Sequence, residues 1–163
     1  MFREEKMKTA LTALLLCGAL CFAAIASALP AIKEGDIWAY NTRPGEEAST
    51  LTILKIEGYP HYGTVVHIRV DGIRMINPVT GGEFTAMPHL PFQAEALQRS
   101  LTRRVGETAQ IPDFSQGYTY WKAAFDEEKA GAFKISVRKT LDGLLSGNWE
   151  MTDDDTAKTT STP

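Results

Sequence analysis

The sequence is short of cysteine, of histidine and of net charge. Its 163 residues include two cysteines and three histidines, and the formal net charge is −3. Cys17 and Cys21 both lie in an N-terminal apolar segment, so the chain beyond that segment can form no disulfide, thiolate metal site or cysteine nucleophile. A weakly acidic chain exerts no long-range attraction on phosphate backbones, which argues against nucleic acid as a partner.

The common sequence signatures of catalysis are also missing. The chain contains no Gly-x-Ser-x-Gly motif and no glycine-rich phosphate loop. Its histidines, His61, His67 and His89, lack the His-x-x-x-His spacing that pairs two metal ligands on a helix, so we expect neither a metal site nor a cofactor. Hydrophobic residues make up 44% and charged residues 23%, which is typical of a folded domain and not of a disordered chain.

The first 28 residues have the layout of a secretory signal peptide. A start with basic residues is followed by the apolar residues 11–25 and then by Ala26-Ser27-Ala28. This pattern predicts cleavage after Ala28 and a periplasmic or secreted location, with no membrane span in the mature chain. Two alternatives stay open: translation from Met7, and retention of the segment as an anchor, since the charge-free run is long enough to cross a bilayer.

Residues 29–150 are predicted to form a single α+β domain, and the polar residues 151–163 a disordered tail. The first half alternates apolar and polar residues, as half-buried strands do. Strands are predicted at residues 36–40, 49–57, 64–71, 73–76 and 83–89. The pair Asp71-Gly72 predicts a tight hairpin, and a phase slip between Ile53 and Leu54 indicates either a bulge or a strand that is covered on both faces.

The second half changes to a helical period. A helix is predicted over residues 92–103 and a second one from Asp113, which is a suitable N-cap. The second helix carries an aromatic stripe that we expect to dock on the sheet: Phe114, Tyr118, Trp121 and Phe125. A last strand at 133–137 and a short helix at 141–145 follow. The predicted fold is therefore α+β, a small antiparallel sheet of about five strands packed against two helices, with a partial barrel as an open alternative.

One candidate site is the run His67-x-Arg69-x-Asp71. Alternation places these three side chains on one face of one strand. A base, a guanidinium and a carboxylate in a row are suited to acid–base chemistry or to anion binding, and they are the catalytic residues if the protein is an enzyme. The alternative is a solvated face with weak ion pairs.

A second candidate site surrounds the first predicted turn. Trp38 and Tyr40 share a strand face, and Arg43 and Glu46 follow in the turn. Aromatic residues beside an arginine are typical of binding hot spots, although a small core uses the same residues. The expected binding residues are Trp38, Tyr40, Arg43, Glu46, His67 and Arg69.

Several stretches resemble a family of small uncharacterised exported bacterial proteins. They are residues 35–46 (GDIWAYNTRPGE), 49–53, 67–71, 89–92 and 120–122, and the resemblance covers most of residues 35–141. It implies an exported bacterial origin, but it assigns no catalytic residue because the family has no known activity.

These observations favour an exported, non-enzymatic domain that binds a protein or small ligand. An immunity or inhibitor protein, which neutralises a toxin or hydrolase in the envelope, is one form of this hypothesis. The alternatives are a small envelope enzyme using His67, Arg69 and Asp71, and a structural envelope protein without a discrete site. The oligomeric state stays open.

Overall fold

The computed structural model describes residues 31–77 and 80–146. The predicted signal peptide (1–28) and the predicted tail (151–163) lie outside these residues. Five strands and three helices follow one another in the chain: β1 (Asp36–Tyr40), β2 (Thr50–Tyr59), β3 (Gly63–Ile76), β4 (Glu83–Gln93), α1 (Ala94–Ser100), β5 (Leu101–Glu107), α2 (Ser115–Asp126) and α3 (Val137–Ser146). None of the helices in this part of the chain has the length and apolar character needed to cross a membrane.

The strands form one antiparallel sheet in the order β4-β3-β2-β1-β5. The sheet is not closed and has β4 and β5 at its edges, so the prediction of an α+β fold with a five-stranded antiparallel sheet is confirmed. The described residues contain three helices, the two predicted to pack on the sheet and a third, Val137–Ser146, which is longer than the short helix predicted at 141–145.

One face of the sheet carries the main hydrophobic core. Alternate residues of β3, Val66, Ile68 and Val70, are fully buried there. They pack with Phe92 of β4 and with residues of α1 and α3: Leu97, Val137, Leu141 and Leu144. The two short helices α1 and α3 therefore cover this face of the sheet.

The opposite face carries a second, separate cluster under α2. Val65 of β3 and Trp121 of α2 are buried there, and Phe125 packs beside them. The predicted aromatic stripe therefore does dock on the sheet. The sheet is covered on both faces, which explains why the side of β3 that contains His67 is buried as well as the side that contains Val66.

The hairpin predicted at Asp71-Gly72 is wrong, because β3 runs through both residues to Ile76. Gly72 has a φ of 74° and lies where the β3–β4 register shifts, between Asp71 and Met75. A Cβ at Gly72 would be 3.2 Å from Ser49 Cα, so glycine allows a bulge here and not a turn. The bulge predicted near Ile53 is confirmed by a shift in the β2–β3 register.

The helix predicted over 92–103 is shorter in the structure. Residue Leu101 adopts extended angles, and the chain continues as β5, which pairs with β1. The strand predicted at 133–137 is reduced to a single parallel bridge between Phe92 and Phe133. The helix predicted near 141–145 is confirmed and is longer, since it begins at Val137.

Candidate functional site

The structure separates the members of the predicted His67-x-Arg69-x-Asp71 run. Arg69 Nε donates to both carboxylate oxygens of Asp71, at 2.8 and 2.9 Å. His67 instead forms hydrogen bonds with Glu57 of β2 and His89 of β4, which flank it on either side. The three residues lie on one face of β3, but they form two independent groups.

His67 is 0% exposed and has both ring nitrogens engaged. Its Nε2 is 3.1 Å from Glu57 Oε2, and its Nδ1 is 2.9 Å from His89 Nε2. Because a carboxylate only accepts, Nε2 of His67 must donate; in a neutral ring Nδ1 is then an acceptor. His89 must therefore donate from Nε2. The contacts allow one arrangement of protons along Glu57, His67 and His89 when both rings are neutral.

Glu57 is the anionic end of this series. Its carboxylate lies 2.8 Å from Lys55 Nζ and accepts hydrogen bonds from the hydroxyls of Tyr59 and Tyr118 at 3.0 Å. Burial alone would raise the pKa of Glu57, but hydrogen bonds from Lys55, Tyr118 and Tyr59 outweigh it, so that pKa lies below its ordinary value. With His67 the carboxylate has four donors, which keeps it ionised.

The histidines lie in an aromatic enclosure made by α2. Trp121 and Tyr118 approach His67 edge-on, with ring centroids 4.7 and 5.2 Å away, and Phe114 stacks on His89 at 6.1 Å. Burial lowers the pKa of His67 to about 4, helped by the neighbouring His89, and burial lowers the pKa of His89 to about 4 as well. Both rings are neutral at physiological pH.

This Glu57–His67–His89 cluster is a poor metal site and a poor catalytic base. Within the described part of the chain, no three His, Cys, Asp or Glu residues are placed to hold a metal ion together. His67 has no exposed surface, and Glu57 already receives four hydrogen bonds. The arrangement is suited to holding protons in fixed positions between the sheet and α2.

Trp38 and Tyr40, two of the expected binding residues, belong to the main core. Tyr40 forms a 2.8 Å hydrogen bond with Ser49 Oγ, and burial, the largest influence, raises its pKa. Trp38 is also buried, and its Nε1 has no hydrogen-bond partner among the described residues. Neither side chain is available to a partner, so the core alternative describes these two residues.

Arg43 and Glu46 form a buried ion pair in the β1–β2 connection. They are 8% and 6% exposed. Arg43 Nε donates to Glu46 Oε2 at 2.8 Å, and its Nη2 donates to Glu46 Oε1. The same Nη2 reaches the carbonyl of Arg74 at 3.1 Å, while the backbone N–H of Arg74 donates to Glu46 at 2.6 Å. The pair therefore fixes this connection to β3.

A polar cleft of about 650 Å³ opens beside that ion pair. It lies between the β1–β2 connection, the β3–β4 hairpin and α3. Three carboxylates and two guanidinium groups line it: Glu46, Glu83, Asp142, Arg43 and Arg74. Arg74 pairs with Glu83 at 3.2 Å, whereas the ion-pair contact of Asp142 is with Arg43 Nη1 at 3.8 Å. The spare charge in the cleft is negative.

An apolar hollow of about 290 Å³ adjoins the polar cleft and shares Ile76 with it. Phe84, Met87 and Leu144 contribute to its lining. Ile76 is 65% exposed and Phe84 48%, and both contribute to the lining of this hollow. We call the polar cleft and the apolar hollow together the hairpin-end surface.

Sequence reasoning identified Arg43, Glu46 and His67 but missed Glu57, His89 and Tyr118. Glu57 and His89 join His67 only through the register of neighbouring strands, in which His67 lies opposite Lys55 and Pro91. The aromatic stripe predicts that the Tyr118 ring docks on the sheet, but a helical period does not indicate which group its hydroxyl contacts. Comparison with protein-family models, with curated proteins and with solved structures found no match to this chain.

Proposed function

We propose that the chain is an exported, non-enzymatic domain that binds an extended segment of another protein at the hairpin-end surface. The observation that carries this proposal is the position of exposed Ile76 and Phe84 beside a preformed cleft. Export is supported by the signal-peptide pattern of residues 1–28. An immunity or inhibitor protein is the case in which the partner is an envelope toxin or hydrolase.

Charge and shape together favour a partner with a basic side chain next to an apolar one. The buried Arg43–Glu46 pair is satisfied internally, and Arg74 and Glu83 neutralise each other. Asp142 has only the long 3.8 Å contact with Arg43 Nη1, so it is the carboxylate of the cleft best able to attract a lysine or arginine. An apolar side chain of the partner would fill the adjoining hollow against Phe84. A surface that combines an apolar hollow with an adjoining polar cleft provides both kinds of contact found in protein interfaces.

The sheet edges point to an extended partner. The β5 edge carries the exposed Arg103 and Arg104, and charged side chains of this kind discourage strand addition. The Phe84–Pro88 part of β4 has no charged residue, and it borders the apolar hollow. An added strand would hydrogen-bond to the β4 backbone while its side chains enter the hairpin-end surface.

An envelope enzyme using His67, Arg69 and Asp71 receives less support. His67 is fully buried, and Arg69 forms its ion pair with Asp71. A substrate could reach His67 only if α2 moved away.

Affinity purification of the tagged mature chain from its host's envelope tests the proposal. Three proteins are purified in parallel and their retained partners are compared. They are the native chain, the double variant Ile76→Ser/Phe84→Ser, and the control Tyr120→Ser. Tyr120 is 74% exposed and lies on α2, so its loss removes a comparable apolar surface elsewhere. We expect one partner to be retained by the native and control proteins and lost by the double variant.

Hydrogen exchange with the purified partner then identifies the binding mode. Strand addition should protect the amides of Phe84–Met87 and leave those of β5 unchanged. Retention of the partner by the double variant, or protection at β5 alone, would overturn the proposal. A preparation without any partner would overturn it as well and would favour a small ligand.

A further inference from the structure

Helix α2 is attached to the protein by its own cluster and not by the main core. Its aromatic side chains pack on Val65, Tyr59 and Tyr62, on the face of the sheet that α1 and α3 do not cover. The polar contacts of α2 with the sheet converge on Tyr118, which joins Glu57 and Lys55. Separate packing of this kind allows one element to detach while the rest stays folded.

The two histidines form the polar centre of this attachment. His67 lies under Trp121, and His89 lies under Phe114 and Tyr118. A Cβ at Gly117 would be 2.8 Å from His89 Cβ, so the backbone of α2 rests directly on this side chain. Any change in the volume or charge of the two rings is therefore felt by the helix.

The hydrogen bond between the two rings survives the uptake of one proton but not of two. With both rings neutral, His67 Nδ1 accepts from His89 Nε2. If His67 takes up a proton at Nδ1, the bond is kept only when His89 carries its own proton on Nδ1 and accepts at Nε2. Uptake of a first proton by His89, at its Nδ1, keeps the hydrogen bond but places a charge inside an aromatic enclosure. Uptake of a second proton breaks the bond.

The charged groups around His67 act in opposite directions, since Glu57 favours a positive charge on the ring whereas Lys55 and His89 disfavour it. Glu57 is the neighbouring anion on β2, and it already receives hydrogen bonds from Lys55, Tyr59 and Tyr118. Lys55 lies near the His67 ring, and its positive charge disfavours a positive charge on that ring. On β3 itself, Arg69 and Asp71 pair with each other. The titratable side chains that α2 and β4 place against His67 are Tyr118 and His89.

We propose that His67 and His89 form an acid-triggered latch, which holds α2 on the sheet at neutral pH and releases it in acid while the main core stays folded. The released rings would be solvated and would titrate near the ordinary pKa of histidine, about 6.5. In the docked state burial keeps both pKa values at about 4. Release of α2 is therefore coupled to proton uptake by the two histidines between about pH 6.5 and about pH 4. Each histidine shifts the docking equilibrium up to about tenfold for each pH unit in this window.

Hydrogen exchange of the native chain at pH 7 and pH 4.5 tests the latch, after correction for the pH dependence of chemical exchange. We expect the amides of Ser115–Asp126 to lose at least about tenfold in protection, while those of Val137–Ser146 in α3 keep theirs. Constant protection of α2, or equal loss in α2 and α3, would overturn the proposal, because the second result is global unfolding.

The variant His67→Gln/His89→Gln should keep α2 protected at both pH values, since glutamine stays neutral. The control is His61→Asn, which changes an exposed histidine with a φ of 66°; this variant should behave like the native chain. Unchanged pH dependence in the double variant would contradict the latch. If that variant does not fold, NMR titration of the native imidazoles decides: their midpoints must coincide with the loss of α2 protection, and separate midpoints would overturn the proposal.

Discussion

His67 Nδ1 lies 2.9 Å from His89 Nε2, and the planes of the two rings are inclined by only 14°. This contact joins β3 to β4 through side chains, in addition to the backbone ladder between the strands. It orders a proton series that begins at Glu57 on β2. Three strands thus contribute one residue each to the surface on which α2 rests, and the stability of that surface depends on pH.

The free energy of unfolding should fall on mild acidification. A histidine whose pKa is lower in the folded state stabilises the fold fully above pH 6.5, and this contribution is lost as pH falls from 6.5 towards 4. With two such groups we expect a loss of about 1 kcal/mol between pH 7 and pH 6. Urea denaturation at the two pH values measures it. His89→Gln should roughly halve the loss, and a native stability that does not change would contradict the assignment.

Gly117→Ala should destabilise the protein although alanine favours helices. In an exposed helix the change would stabilise by about 1 kcal/mol. Here the new Cβ would lie 2.8 Å from His89 Cβ, and we expect a net loss of about 1–2 kcal/mol. Gly58→Ala is the control, because nothing lies within 4 Å of a Cβ at that position. A gain in stability from Gly117→Ala would show that α2 does not rest on His89.

Tyr118→Phe removes a hydroxyl that donates to Glu57 and accepts from Lys55 Nζ at 3.0 Å. The partly buried carboxylate loses one of four donors, so we expect a loss of about 1–2 kcal/mol in the free energy of unfolding. The matched variant Tyr120→Phe changes an exposed hydroxyl on the same helix and should alter stability by less than about 0.5 kcal/mol. Equal effects of the two variants would argue against the hydrogen bonds of Tyr118.

Arg43→Ala should be among the more damaging single changes in the β1–β2 connection. It leaves Glu46 buried without its bidentate partner, which costs about 3 kcal/mol. Arg103→Ala, at an exposed position of β5, is the control and should be close to neutral. Thermal and urea unfolding of the two variants compare them directly. Similar stabilities would mean that the ion pair does not fix the connection.

Local patterns of the sequence predict the elements that depend on neighbours in the chain. The alternation in β1 and β3 and the aromatic stripe of α2 are of this kind, and so is the bulge near Ile53. The hairpin predicted from Asp71-Gly72 is wrong because glycine is favoured both in tight turns and in bulges. The close approach to Ser49, which decides between them, involves a different strand.

The remaining features depend on partners distant in the chain. The sequence around Leu101 continues the helical period, but β1 lacks a neighbour on one side, and residues 101–107 supply it. The contact between His67 and His89 has the same origin, since it needs the β3–β4 register. For Arg43 and Glu46 the residue types indicated an interaction, whereas only packing shows that they bind each other.

The position of β1 has a consequence for the order in which the chain folds. Trp38 pairs with Leu51, which follows it closely in sequence, and also with Arg104, which is synthesised long afterwards. The first four strands can assemble through successive local hairpins, whereas β5 must wait until β1 is already in place. Closing such a long loop is slow, so formation of the β1–β5 ladder is expected to limit the folding rate. Until β5 pairs with it, β1 has an unprotected edge, so we expect aggregation during folding to involve this edge.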